Sequence, residues 1–100
     1  MKVRHANSKF LEGESIVKQG EYENGHTALW LLSPNGKPNA TATVNLPNAP
    51  LRPGFVHIKS YGENEGLLKD LINSNIIESP IDDIPCGYGI AWVCKLKPSL

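Results

Sequence analysis

The sequence predicts an α+β domain, a mainly antiparallel five-stranded sheet with one helix packed on one face, in the order β-β-β-β-α-β. Three observations predict it. Two Asn-Gly dipeptides, Asn24-Gly25 and Asn35-Gly36, separate apolar runs at hairpin spacing. Apolar and polar residues alternate over 40–46 and 89–96, the period of a strand with one buried face. A single stretch has helical spacing, with Leu67, Leu68, Leu71 and Ile72 on one side.

The elements follow in order. Residues 1–13 precede the first strand and are expected to be mobile within a single domain spanning 1–100. The first strand covers about 15–22, anchored by Ile16 and Val17, and the Asn24-Gly25 turn leads into a second over 27–32. The Asn35-Gly36 turn leads into a third over 40–46. With a two-residue loop there, Leu29 and Leu31 share a face with Ala40, Ala42, Val44 and Leu46. Trp30 then projects on the side of Thr41, Thr43 and Asn45. A loop longer by one residue reverses this, because side chains alternate with a period of two. The first arrangement is favoured.

Pro47, Pro50 and Pro53 exclude a regular element between the third strand and a fourth over 55–59, since each removes a backbone donor. Ser60 with Glu63 three residues on resembles a capping box for the helix, and Asn64 is an alternative cap. Asn73-Ser74-Asn75 offers a left-handed exit. Residues 78–88 hold two prolines and read as an irregular crossing before a fifth strand over 89–96.

Ten Lys and Arg balance ten Asp and Glu, and 40% of the residues are hydrophobic, as in an ordinary folded domain. A general nucleic-acid binder carries a basic excess, so neutral charge counts against that class. The N-terminus lacks the apolar run of a secretory signal, and a cytoplasmic location is expected. Cys94, in an alternating run, is expected as a buried free thiol, and Cys86 follows Pro85 in a loop.

No spacing announces catalysis. His5, His26 and His57 are scattered, with His57 expected on a half-exposed strand face, and the two cysteines lie too far apart for a zinc motif. No catalytic residue, metal site or cofactor is expected. An enzyme survives only as a site in which His57, Cys86 or Asp82 converge through the fold. Charge is distributed unevenly, however. Between 63 and 83 the carboxylates Glu63, Glu65, Asp70, Glu78, Asp82 and Asp83 are opposed by Lys69 alone. An acidic face of this kind suits a basic protein partner.

Residues 40–47, Ala-Thr-Ala-Thr-Val-Asn-Leu-Pro, and 58–68, Ile-Lys-Ser-Tyr-Gly-Glu-Asn-Glu-Gly-Leu-Leu, carry a resemblance. They resemble a family of small uncharacterised bacterial proteins carried on plasmids, conjugative elements and phages. In that family a strand ending Thr-Val-Asn-Leu-Pro precedes Ile/Val-Lys-Asp-Tyr-Ser-Glu-Asn-Glu-Gly and a Leu-rich helix. Ser60 and Gly62 stand here where that pattern has Asp and Ser. The resemblance spans roughly residues 20–78 and implies an accessory protein of a mobile element. Its expected role is inhibition of a host defence complex, of the anti-CRISPR or antirestriction type, by binding rather than catalysis.

The expected binding residues are Trp30, Tyr61, Glu63, Asn64, Glu65 and Asp70, facing a host protein or ribonucleoprotein with a basic surface. Beside the enzyme reading, the rival is a single-stranded nucleic-acid binder stacking bases on Trp30, Phe55 and Tyr88. A homodimer joined through the less-covered sheet face is compatible with any of these functions.

Overall fold

A computed structural model describes residues 1–87 and 89–98. The chain forms β1 (Lys2–Arg4), β2 (Glu14–Glu21), β3 (Thr27–Leu32), β4 (Pro38–Thr41) and β5 (Phe55–Lys59). A single 3₁₀ turn (Gly62–Asn64) then precedes α1 (Leu67–Asn73), β6 (Asp82–Cys86) and β7 (Gly89–Lys95). The α+β class holds, but the strands divide into two antiparallel sheets rather than one of five. The first has the order β1-β2-β3-β4 and the second β5-β7-β6.

Both Asn-Gly turns form, and both are three-residue loops. Tyr22 and Ser33 donate their N–H groups to the carbonyls of His26 and Lys37 at 2.8 Å. Gly25 and Gly36 take positive φ (87° and 88°), which a side chain would resist. A three-residue loop alone would turn Trp30 inward. One extra residue in β4 reverses this: Leu32 pairs with Pro38, but Leu31 pairs with Ala40 and Trp30 with Thr41. The bulge at Asn39 cancels the shift made by the loop, so Leu29 and Leu31 are fully buried and Trp30 lies on the other face.

The alternation expected through Leu46 continues past β4 but changes partners. Ala42 N–H bonds to Leu29 O in the first sheet, while Ala42 O accepts from Lys59 N–H in the second, both at 2.8 Å. Thr43 then bridges to Ile58, and Val44 N–H reaches His57 O. This short stretch joins the sheets. Thr43, expected outside with Trp30, is buried: its Oγ1 accepts Leu29 N–H and bonds the Tyr22 hydroxyl at 2.8 Å.

The core lies between the inner faces of the sheets and the helix. Val17, Leu29 and Leu31 meet Val56, Ile58 and Cys94, with Leu67, Leu71, Ile76 and Ile77 closing the space. Each fully buried Leu or Ile contributes about 1.5–3 kcal/mol. Cys94 is a buried free thiol, as expected, and burial pushes it up to about 12. The left-handed exit falls at Asn75 (φ 61°). There Asn75 N–H bonds to Ile72 O and Ile76 N–H to Leu71 O, the paired bonds of a Schellman motif.

Two stretches expected to be irregular or mobile are strands. Lys2–Arg4 pairs with β2 and buries Val3 completely, so the N-terminus is built into the first sheet. Asp82–Cys86, expected as a loop, is an edge strand of the second sheet. Pro85 is tolerated there because an edge strand leaves one row of donors unpaired. No helix among the described residues is long and apolar enough to cross a membrane.

Candidate interaction surface

The joint between β5 and α1, which the sequence singles out, is shaped by four side chains with separate tasks. Ser60 caps the helix, but without Glu63: its Oγ accepts Leu68 N–H at 3.0 Å from eight residues upstream. Asn64 is fully buried and donates its amide to Thr41 O at 2.7 Å and Lys59 O at 3.1 Å. It ties together the two sheets where the chain crosses between them, so it is no partner contact.

Asp70 is also internal, at 1% exposure. Its carboxylate accepts Asn7 N–H (2.8 Å), Asn7 Nδ2 (2.9 Å), Ser8 N–H (2.7 Å) and Ser8 Oγ (2.5 Å). Burial opposes the charge, but these donors from Ser8 and Asn7 outweigh it and hold the carboxyl below its ordinary range. The segment gripped here passes directly over Gly66, where an added Cβ would stand 2.0 Å from Asn7 O. Gly66 therefore admits the N-terminal segment at the start of the helix.

That grip positions a residue the sequence reading missed. Lys9 N–H bonds to Glu65 O at 2.8 Å, and Phe10 follows with its ring 60% exposed. Phe10, Gly62, Glu63 and Glu65 line a shallow groove of about 450 Å³. The available signal was a lone aromatic in the polar run Ser8-Lys9-Phe10-Leu11-Glu12. Glu63 and Glu65 are both exposed here, yet neither charge is free. Lys59 Nζ donates to Glu63 at 2.6 Å, and Lys9 lies 3.8 Å from Glu65. The Lys59 hydrogen bond and charge hold Glu63 below its ordinary range. The net negative face expected from local sequence is thus locally neutralised by two lysines from outside that stretch.

Tyr61 adjoins the groove. Its ring covers Gly89, where a Cβ would meet it at 2.5 Å, and Lys59 Nζ lies 5.3 Å from its centre. The Tyr61 hydroxyl contacts Cys86 Sγ at 3.6 Å. This bond, with burial and the neighbouring Cys86 and Glu63, pushes the phenol up to about 12. Trp30 is elsewhere, on the outer face of the first sheet. It lies over Gly20 and in a groove of about 540 Å³ with Lys18, Leu32, Pro38 and Thr41. That groove shares no residue with the one at Phe10.

The residues of the rival readings stand apart. His57 is buried rather than half-exposed, Cys86 lies against Tyr61, and Asp82 is exposed on β6. No three His, Cys, Asp or Glu side chains are grouped for a metal among the described residues. Phe55 stacks under Arg52 at 4.7 Å on the second sheet, away from the Trp30 strand, and Tyr88 lies outside the described residues. No family model, curated protein or solved structure matches this chain.

Proposed function

We propose that this chain is a non-enzymatic protein-binding module whose contact surface is centred on Phe10 and bordered by Glu63, Glu65 and Tyr61. One observation carries the reading: an exposed aromatic ring on a segment anchored, two residues earlier, by the buried Asp70 carboxylate. An aromatic anchor already held in place loses little conformational entropy on binding, which favours it as an interface centre. The Glu63 and Glu65 ion pairs at the rim are exposed and weak. A basic partner can exchange into them, which favours orientation and encounter rate over affinity. The partner that fits is a protein with an apolar pocket rimmed by Lys or Arg. Inhibition of a host defence complex is the role in which such a module fits the resemblance in the sequence.

The test is affinity purification from host cells with the wild type, the variant Phe10→Ser and the variant Glu63→Lys/Glu65→Lys. Each is first shown to be folded by circular dichroism. A true partner falls at least tenfold in recovery with Phe10→Ser and severalfold with the charge reversal. Equal recovery of every captured protein by all three overturns the surface.

A further inference from the structure

The imidazoles of His26, half-buried, and His57, buried, are used by nothing described so far. His57 is 1% exposed, and neither of its ring nitrogens has a hydrogen-bond partner among the described residues. Nδ1 of His26 is buried and unpartnered as well. The rings meet edge to face, with centres 5.7 Å apart and planes at 70°. Buried polar atoms are nearly always hydrogen-bonded, so three unmatched nitrogens in one contact call for a physical account.

Their cover consists of two segments tied to each other. The β2–β3 turn carries His26, and the 45–54 loop follows Val44, whose N–H holds His57 O at 3.1 Å. Asn24 Nδ2 donates to Asn45 Oδ1 at 3.1 Å, and the Tyr22 hydroxyl bonds Thr43 at 2.8 Å. His26 lines a cleft of about 250 Å³ with Leu51, Arg52 and Phe55, so the turn lies against the far end of the loop too. Pro47, Pro50 and Pro53 leave this loop few internal bonds, Ala49 N–H to Leu46 O and Phe55 N–H to Arg52 O. A cover with so few backbone bonds belongs to the low-stability end of a fold.

The surrounding charges offer a proton at His57 no compensation. On its face of the second sheet, Lys59 lies two residues along β5, paired with Glu63, and Lys95 faces Phe55. The carboxylate in its own cross-strand row is the exposed Asp82, beyond Val93 and about 10 Å away across two strand spacings. Glu21 and Arg52 line the cleft at His26, Arg52 adding like charge, and Glu23 is in the exposed turn.

We propose that the His26–His57 pair is an acid-operated latch, whose protonation releases the β2–β3 turn and the 45–54 loop together from the second sheet. Burial, reinforced by the neighbouring His26, depresses His57 below its ordinary value of 6.5. The closed state therefore binds fewer protons than the open one. Stability of the cover is constant above pH 6.5 and falls as the pH drops below it.

The test is amide hydrogen exchange on the full chain from pH 7.5 to 5, corrected for intrinsic exchange. Residues 22–26 and 44–54 are expected to lose protection by up to tenfold per pH unit below 6.5, while β2 and β3 keep theirs. In His57→Phe, which fills the same space without a proton site, that dependence disappears. Should this variant not fold, the wild-type pattern decides alone. Protection unchanged down to pH 5, or lost at one pH throughout the chain, overturns the latch.

Discussion

Two buried histidines, His5 in the N-terminal segment and His57 on β5, are treated in opposite ways. His5 is wired. Its Nε2 bonds Ser15 Oγ at 2.7 Å, its Nδ1 bonds Ser8 Oγ at 3.1 Å, and Ser8 in turn donates to Asp70. His57 has no such bond among the described residues and touches another imidazole instead. Burial lowers both below the ordinary value, but the Asp70 carboxylate partly restores His5, whereas His26 pushes His57 further down. Equal depth does not mean equal commitment. The His5–Ser8–Asp70 network fixes the N-terminal segment through hydrogen bonds, while His26 and His57 meet only edge to face.

Asp70→Ala is expected to have the largest effect, because it leaves the donors of Asn7 and Ser8 without their acceptor. A loss of about 3 kcal/mol is expected in urea titration, with exchange protection vanishing from residues 5–9. Next come the imidazoles themselves. At pH 7.5, His5→Phe is expected to cost about 1–3 kcal/mol, since the Ser8 and Ser15 hydroxyls lose a buried partner, whereas His57→Phe is neutral or stabilising. Equal costs for the two would end the distinction.

Acid titration sharpens it. The depressed histidines withdraw stability as the pH falls below 6.5. Asp70 acts in the same sense at lower pH: held below 3.8, it contributes fully above that value and loses its contribution as the pH falls from there through its lowered folded value. Thermal melts are therefore expected to decline in two stages, and Asp70→Asn should flatten only the second. The smallest effect belongs to the surface. Glu63→Gln, removing an exposed pair with Lys59, is expected to change stability by about 0.5 kcal/mol or less.

Much of the architecture is legible in the residues. The two Asn-Gly turns, the inward set of Leu29 and Leu31, the Asn75 exit and the Cys94 thiol all follow from local rules that the packing respects. The division into two sheets does not, because alternation states which face is buried but not which strand lies alongside. Residues 42–44 change sheets within the alternating run, and Thr43, polar in that pattern, is buried as Ala42 is. β6 is hidden because Pro85 and two aspartates imitate a loop, and β1 because three residues carry no period. At the candidate surface, Glu63, Glu65 and Tyr61 adjoin one groove, but Asn64 and Asp70 serve the interior. Asn64 reaches Thr41 across 23 positions as well as nearby Lys59, and the partners of Asp70 lie 62–63 positions away, beyond the reach of any local reading.

The extra residue at Asn39 also determines how this chain tolerates change in length. A hairpin whose loop and bulge offset one another holds a residue of slack. Shortening the 33–37 turn by one position can be absorbed by straightening β4, so that Trp30 keeps its side of the pleat. Deleting Asn39 has the same outcome, because Leu31 then still pairs with Ala40 and Trp30 with Thr41 across an unbulged strand. Loss of one residue at this corner is therefore absorbed without moving Leu29 or Leu31 off the core face.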